Sequence, residues 1–363
     1  MSSFHISISA TALSALKSRL ELTTFPDELD DAGWGYGVPL ADIKRLVARW
    51  RDGFDWRKAE QQLNALPQFT RDIEVDGFGV LNIHYVHKKS EKGQGLPLLS
   101  DCISIGPGGF FEAQKIIPLL TKSAGYGFSE GPKKKGFSIM QYAEVAHKLM
   151  LASDTMNMVS ARTQFISGNQ PYVHPSDARG DWGSTITRQI AYTYGGKYSK
   201  AWHTNFLLTS PPPDDESIRV RIFHTTVYKA SDIRIQLSGL SVGLLAWIYE
   251  KLSLPGYRSI GSLALVLQPL SEFTMSYAHQ QEVGDTPPSS IPLGTSNFPK
   301  GIGRIPKSWY PHVGNVVFEA EHNVGGHFAA LEQPEQLVAD LQQMFGKGGS
   351  AYGVVPGRDG YGT

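Results

Sequence analysis

Segments with the pattern of strands and segments with the pattern of helices alternate along this chain, and this alternation constrains the fold more than any other feature. Ile43, Val47 and Trp50 recur at helical spacing within one segment. The stretch NVVFEA, at residues 315–320, instead has the β-branched and aromatic composition of a strand. Strands that alternate with helices are typical of a sheet covered by helices on both faces. The sequence therefore predicts an α/β fold with a mostly parallel central sheet.

Further segments fit the same alternation. Two short strands are predicted on either side of Gly77, and apolar residues at helical spacing predict helices over residues 138–152 and 184–194. The second of these helices should end at the glycine pair that follows it, because glycine readily adopts the left-handed conformation common after a helix. A loop is predicted over residues 321–333, and Pro334 is predicted to begin the last helix.

The composition indicates a globular protein and excludes several kinds of partner. The chain has 363 residues, of which 41% are hydrophobic and 19% are charged, as expected for a protein with a large buried core. Its 34 basic and 34 acidic residues balance, which argues against nucleic acid or an anionic membrane as a partner. No apolar stretch reaches the roughly 18 residues that a membrane span needs. Because Cys102 is the single cysteine, no intramolecular disulfide can form, and we expect a cytoplasmic protein.

One short stretch, DARGDWG at residues 177–183, supports two incompatible interpretations. Arg179, Gly180 and Asp181 form a tripeptide that some extracellular proteins expose for cell adhesion. Asp181 also lies between small residues directly before a predicted helix, which is the pattern of a nucleophile held on a sharp strand-to-helix turn. The expected cytoplasmic location argues against adhesion. We therefore interpret Asp181 as a nucleophile.

A carboxylate nucleophile places a chemical requirement on the rest of the chain. It attacks without the help of a base and forms an ester, and that ester is released only if a water molecule is activated. Histidine is the side chain best suited to accept a proton from this water near neutral pH. His327 follows the last predicted strand and two glycines that clear space beside it. It is therefore the candidate base.

The segments GDWGSTITRQIA and GGHFAALEQPEQL together resemble the nucleophile and histidine motifs of the microsomal-type epoxide hydrolases. The blocks GYGFSEGP, HTNF and SVGLLAWIYEKL match the same family in the same order, and the resemblance extends from the N-terminal region to about residue 346. The chain is most similar to soluble fungal-type members, with altered or missing segments. The resemblance implies an α/β-hydrolase fold with an N-terminal meander and an inserted helical lid.

The resemblance also implies a reaction, the conversion of an apolar epoxide to a vicinal diol in detoxification or secondary metabolism. Asp181 would attack an epoxide carbon, and His327 would activate the hydrolytic water. Tyr277 in the lid would donate a proton to the epoxide oxygen, although packing is an alternative role for this aromatic ring. The backbone N–H groups of Trp182 and Gly106 would form the oxyanion hole. No cofactor and no metal are expected, and a homodimer is compatible with the sequence.

The resemblance divides the chain into five parts. These parts are an N-terminal meander, a first half of the α/β-hydrolase core, a lid, a second half of the core that contains the histidine loop, and a disordered glycine-rich tail. In the same order, their predicted bounds are residues 1–95, 96–206, 207–285, 286–346 and 347–363.

One position departs from the family pattern at a catalytic residue. The family carries its charge-relay acid after a Phe-Pro-Lys motif, and this chain has Gly301 there. Glu321 lies close to His327 in the sequence and is a candidate substitute acid, but we favour its interpretation as an ordinary charged residue at a strand end. Two functions follow: a working epoxide hydrolase, or a catalytically impaired or non-catalytic homologue that binds apolar ligands.

Overall fold

The computed structural model describes residues 2–25, 27–31, 33–34, 38–86, 129, 134, 136–157, 182–207, 209, 286–301, 305–326 and 329–355. The strands are β1 (Ser2–Phe4), β2 (Gln68–Val75), β3 (Gly79–Val86), β4 (Trp202–Thr204), β5 (Ser289–Asn297) and β6 (Gly314–Glu321). The α-helices are α1 (Ala10–Glu21), α2 (Leu40–Ala48), α3 (Trp56–Asn64), α4 (Ile139–Asn157), α5 (Trp182–Tyr194), α6 (Ala329–Glu332) and α7 (Pro334–Phe345). None of these helices is long and apolar enough to cross a membrane.

The N-terminal part contains an antiparallel sheet in the order β1, β2, β3. β2 and β3 pair along their whole length, from Gln68 opposite Val86 to Val75 opposite Gly79. The turn between them contains Gly77 at φ +80°, a conformation that favours glycine. The two strands predicted around Gly77 are therefore confirmed.

Helix α2 confirms the helix predicted from apolar spacing. Ile43 and Val47 are buried with Leu20 of α1 in a small cluster. The regular α-helix ends at Ala48, and the chain continues as a π-helical turn, Arg49–Gly53. Trp50, which the predicted helix included, therefore lies in this turn.

Helix α4 connects the N-terminal sheet to the region of the predicted site, because it packs against both β2 and α5. Together α4 and α5 confirm the helices predicted over residues 138–152 and 184–194. Burial of apolar side chains is the main stabilising contribution to such a core. The core that these elements share includes Ile73, Val75, Leu81, Tyr85, Leu149, Met150, Ile186 and Ile190.

Strands β4, β5 and β6 form a parallel sheet in that order. Near the carboxyl ends, Thr204 lies opposite Thr295 and Asn297 lies opposite Glu321. The three strands therefore end side by side. In open parallel sheets, ligands bind at this edge because the loops that follow the strands converge there. The predicted parallel sheet is confirmed, with β6 as the strand predicted over residues 315–320.

Helix α7 begins at Pro334 as predicted. The loop predicted before it is interrupted by a short helix, α6, so that prediction is wrong for residues 329–332. Ala329 and Ala330 are buried together with Phe298 and with apolar residues of α7. This burial explains why a segment without a long helical pattern forms a helical turn.

The first half of the predicted disordered tail is packed. Ala351 and Val355 are buried against α7, with 2% and 3% of their surface exposed. Glycines permit the turns that bring the chain back onto the helix, and Gly348 and Gly353 have φ of +86° and +70°. The expectation of disorder is therefore wrong for residues 347–355, and the rest of the tail lies outside the described residues.

Candidate active site

The described residues include part of the predicted site. Gly301 and Glu321 are described, and Trp182 is described as the first backbone position of α5. Almost all of the predicted lid lies outside the described residues. Four predicted site residues also lie outside them: Asp181, His327, Tyr277 and Gly106. The observed site therefore consists of the elements that lead into the candidate nucleophile and the candidate base.

Helix α5 begins directly after Asp181 in the sequence. A helix N-terminus carries partial positive charge from its unpaired N–H groups, and this charge stabilises a nearby anion. Residues 184–190 of this helix are all buried. The part of α5 from residue 184 onward is therefore held inside the protein, where charge effects are screened less by water than at the surface.

Arg188 holds α5 against the parallel sheet. Its buried guanidinium donates through Nη2 to the carbonyl oxygens of Thr286 and of His312, the second at 3.0 Å. Ser289 Oγ adds a hydrogen bond to the carbonyl oxygen of Ala191 at 2.9 Å. Burial lowers the pKa of Arg188 to about 10, so the side chain remains charged at neutral pH. The helix is thus attached to the start of β5 and to the turn before β6.

The loop after β5 and the loop after β6 are joined by backbone hydrogen bonds. His322 N–H donates to the carbonyl oxygen of Asn297 at 2.9 Å. Lys300 N–H donates to the carbonyl oxygen of Gly325 at 3.1 Å, and Lys300 also forms a parallel bridge with Gly326. The loop that carries the candidate acid position is therefore bound to the loop that leads directly into the candidate base.

Gly301 follows this bridge, and its backbone can accept a larger residue. Its N–H donates to the carbonyl oxygen of Phe298 at 3.2 Å. A Cβ atom placed on Gly301 would lie 3.4 Å from the same oxygen, which is ordinary van der Waals contact. Gly301 is also not among the glycines with positive φ. The local backbone therefore does not require glycine at this position.

A small cavity of ≈ 10 Å³ lies beside Gly301. This volume is about that required by one water molecule. Polar groups in the wall include the amides of Asn205 and Asn297 and the hydroxyl of Tyr310, whose pKa is raised mainly by burial. The remaining lining residues are Leu207, Phe298 and Ile305. The space next to the candidate acid position is thus partly polar.

Glu321, the candidate substitute acid, lies at the end of β6. Its Oε1 atom lies 3.7 Å from Lys307 Nζ and accepts a hydrogen bond from Asn297 Nδ2 at 3.3 Å. Its side chain is 45% exposed. These contacts are what we expect of a charged residue at a strand end, and the carboxylate is already engaged by an amine and an amide.

A row of buried and half-buried polar side chains crosses the carboxyl edge of the parallel sheet, and the sequence did not reveal it. Ser296 Oγ donates to Asp340 Oδ2 at 2.5 Å, and His322 Nε2 donates to the same oxygen at 2.6 Å. His203 Nε2 lies 3.0 Å from Ser296 Oγ. Because Ser296 uses its proton on Asp340, its oxygen accepts the N–H of His203. Burial, with a smaller contribution from His322, lowers the pKa of His203 to about 3, so this imidazole is neutral.

A sequence signal for this row exists within α7. Asp340 lies three residues after Leu337 and four before Met344, so an acid occupies the apolar stripe of the helix. All three side chains are buried, Asp340 with 3% exposed. A buried acid requires partners. Its partners His203, Ser296 and His322 come from three other segments, so the sequence alone could not name them.

The described part of the chain contains no group of three or more histidine, cysteine, aspartate or glutamate side chains that could hold a metal ion. His322, which could be considered a metal ligand because a second histidine follows it closely, instead donates to Asp340 and stacks on Phe298 with ring centroids 4.5 Å apart. The side chain of His322 is therefore engaged in structural contacts.

The fold is that of an α/β hydrolase, as its similarity to solved structures shows. A family model described as the epoxide hydrolase N terminus matches residues 1–112. Epoxide hydrolase 1 of Sus scrofa is 26% identical over 427 aligned positions, which cover 94% of this chain and 88% of the relative. Since the chain has only 363 residues, that alignment contains gaps.

Solved structures agree with this assignment. An enantioselective mutant of the Aspergillus niger epoxide hydrolase superposes with a TM-score of 0.75 at 29% identity, covering 94% of both chains. The juvenile hormone epoxide hydrolase of Bombyx mori superposes with a TM-score of 0.71 at 18% identity, covering 94% of this chain and 92% of that one, and shows the shared fold. The chain is thus similar to epoxide hydrolases over nearly its whole length, and it has the α/β-hydrolase fold.

Proposed function

We propose that this protein hydrolyses an apolar epoxide to a vicinal diol through a covalent ester on Asp181. The observation that carries this proposal is the bridge between Lys300 and Gly326 at the carboxyl edge of the parallel sheet. The bridge supports a site in which the positions that follow its two residues, 301 and 327, belong to the same catalytic group. The relatives named as epoxide hydrolases supply the reaction class.

In the first step, a carboxylate oxygen of Asp181 attacks one epoxide carbon. The bond from that carbon to the epoxide oxygen breaks, and the oxygen leaves as an alkoxide that takes a proton from Tyr277. The start of α5 lies directly after Asp181, and its partial positive charge favours the ionised, attacking form of the acid. The product of this step is a hydroxyalkyl ester on the enzyme.

In the second step, His327 removes a proton from water, and the resulting hydroxide attacks the carbonyl carbon of the ester. The backbone N–H groups of Trp182 and Gly106 stabilise the oxyanion that develops. The bond between the carbonyl carbon and the ester oxygen then breaks, and the leaving oxygen takes the proton that the attacking hydroxide brought. This releases the diol and restores the carboxylate of Asp181. A proton returns from His327 by way of solvent to Tyr277, so the net reaction consumes one water.

Gly301 makes the second step the slow one. During water activation His327 becomes an imidazolium, and an acid partner normally stabilises and orients it. Loss of that acid costs roughly 10⁴ in rate in related triads. The alternative function, an impaired homologue that binds apolar epoxides or stops at the ester, rests on the same glycine. Glu321 remains a proposed substitute acid, although its contacts with Lys307 and Asn297 argue against it.

Intact-protein mass spectrometry after mixing with styrene oxide tests the proposal, with diol measured in the same tube. We expect an adduct of one epoxide mass on the wild type and no adduct on Asp181→Asn. The His327→Gln variant should accumulate more adduct and release less diol, because only water activation is removed. Diol formed at an unchanged rate by Asp181→Asn would contradict the assignment of the nucleophile.

A further inference from the structure

We propose that Asp340 is a positioning residue for the water-activation step, and that it acts through His322 on the loop that carries the base. This inference rests on the proposed function, because the base in question is His327. A single carboxylate oxygen, Asp340 Oδ2, accepts from Ser296 of β5 at 2.5 Å and from His322 at 2.6 Å. One buried group on α7 therefore connects the strand that precedes the acid loop with the start of the histidine loop.

The histidine loop, residues 322–326, is fixed at both of its ends. At its start, His322 donates its backbone N–H to Asn297, stacks its ring on Phe298 at an interplanar angle of 16°, and donates Nε2–H to Asp340. At its other end, Gly325 accepts from Lys300. The residue that follows this fixed loop is the candidate base.

The hydrogen bond between His322 and Asp340 is strengthened by charge and by burial. Asp340 is 3% exposed, and the side chain of His322 is 14% exposed. A hydrogen bond to a carboxylate is roughly twice as strong as one between neutral groups, and solvent competes little at a buried site. Removing the charge should therefore loosen the loop without unfolding the sheet beneath it.

Positioning of this kind affects one step of the reaction more than the other. Ester formation depends on Asp181 and the start of α5, which Arg188 holds through a separate set of bonds. Ester hydrolysis depends on the orientation of His327. A displacement of about 1 Å in a catalytic group can reduce a rate about 100-fold. We therefore expect loss of the Asp340 charge to slow ester hydrolysis and to leave ester formation unchanged.

The experiment compares the two steps in Asp340→Asn and wild type with styrene oxide. Ester formation and ester decay are followed separately by intact mass, the second after removal of free epoxide. Asparagine keeps an oxygen near the position of Oδ2 but loses its charge. We expect ester decay to slow by roughly tenfold, since a neutral acceptor replaces a charged one, at an unchanged rate of ester formation.

Two variants of His322 separate the hydrogen bond from the ring stack. His322→Phe keeps an aromatic ring over Phe298 but has no N–H, and it should slow ester decay as Asp340→Asn does. His322→Gln has an N–H donor of similar reach and should recover part of the rate. Equal decay rates for the phenylalanine and glutamine variants would overturn the role assigned to the hydrogen bond.

Glu60→Gln is the matched control for a general loss of stability. Glu60 is a buried carboxylate, 9% exposed, that accepts hydrogen bonds from Ile8 N–H, Trp56 Nε1 and Arg57 Nη1, all within the N-terminal part. This variant should lose thermal stability while the ratio of the two steps stays the same. If Asp340→Asn changes both steps in equal proportion, as an ordinary destabilised variant would, the proposal is wrong.

Hydrogen–deuterium exchange distinguishes failure of this inference from failure of the proposed function. In Asp340→Asn, exchange should rise in peptides that cover residues 297–301 and 322–326 and stay unchanged over residues 68–86. If the wild type forms no ester, the proposed function fails, and the exchange result alone decides whether Asp340 fixes the loop. Unchanged exchange in the two loops would overturn the inference whether or not the protein is active.

Discussion

The backbone N–H of Lys300 donates to the carbonyl oxygen of Gly325 at 3.1 Å, and this bond joins the loop after β5 to the loop after β6. Each residue lies one or two positions before a candidate catalytic site, Gly301 in the first loop and His327 in the second. Backbone contacts thus join the residues that directly precede the two candidate positions, and these contacts do not require an acidic side chain at position 301.

Restoring an acid at position 301 should increase diol release. The Gly301 backbone tolerates a Cβ atom, since the nearest atom would be the carbonyl oxygen of Phe298 at 3.4 Å. A carboxylate there would stabilise the imidazolium of His327, so we expect Gly301→Asp to accelerate ester hydrolysis at least about tenfold, with roughly 10⁴ as the upper limit. The measurement is the single-turnover decay of the ester.

Gly301→Asn is the matched control for this gain, because asparagine has the shape of aspartate without its charge. It should give little of the acceleration. An equal gain from both variants would show that packing, and not charge, limits the wild type. No gain from either would contradict the view that the glycine makes ester hydrolysis slow.

Gly325→Ala should disturb the histidine loop. Gly325 has φ +96°, and a Cβ atom there would lie 2.7 Å from Gln333 Cγ and 2.8 Å from Phe298 Cδ1. The loop must shift to relieve both contacts, so ester decay should slow more than ester formation. Gly348→Ala introduces the same backbone strain at φ +86° with no atom within 4 Å, and it should leave the ratio of the two steps unchanged. If ester decay slowed relative to ester formation by the same factor in both variants, the histidine loop would have no specific role.

Gly294→Ala should destabilise the parallel sheet. A Cβ atom at Gly294 would lie 2.3 Å from Met344 Sδ and 2.6 Å from His203 Cδ2, and all of these groups are buried. Overpacking of a buried site costs about 1–3 kcal/mol, which thermal or urea unfolding would detect. Gly53→Ala, whose nearest contact is Arg49 Cγ at 3.8 Å, should change the free energy of unfolding by less than about 0.5 kcal/mol. Similar decreases in the free energy of unfolding in the two variants would contradict close packing around β5.

Acidification between pH 7 and pH 5 should reduce stability through buried histidines. The ring of His147 stacks on Tyr194 with centroids 3.8 Å apart, and burial lowers the pKa of His147 to about 4 from 6.5. The unfolded chain therefore binds a proton at a higher pH than the folded one, so the free energy of unfolding falls as pH drops below about 6.5. The pKa of His203, lowered to about 3, acts in the same direction.

Urea unfolding at several pH values measures this effect. His147→Phe keeps a stacked ring without a titrating group, and its stability should depend less on pH in this range than that of the wild type. A wild type that is equally stable at pH 7 and pH 5 would contradict the burial of neutral histidine.

Elements with strong local patterns were predictable from the sequence. The helices α2, α4, α5 and α7 and the strand β6 have apolar residues at the spacing of their secondary structure, and a glycine marks the turn between β2 and β3. Strand β5, with the sequence SSIPLGTSN, lacks this pattern. It is a strand because helices and neighbouring strands enclose it, and Gly294 allows His203 and Met344 to approach closely.

The candidate site was predictable only where residues are close in the sequence. The pattern around Asp181 and the glycines before His327 lie in continuous motifs. The Asp340 network joins residues that are 18, 44 and 93 positions apart in its three hydrogen bonds. Contacts of that kind follow from the sheet register and the packing of α7, which no local pattern encodes.

A single turnover in ¹⁸O-labelled water, with enzyme in excess over styrene oxide, tests the covalent mechanism most directly. If Asp181 forms the ester and water attacks its carbonyl carbon, the oxygen delivered to the diol comes from the carboxylate. We predict an unlabelled diol in the first turnover and one ¹⁸O atom in the peptide that contains Asp181. A diol that carries ¹⁸O in its first turnover, with no label in that peptide, would show direct attack of water on the epoxide and contradict the account.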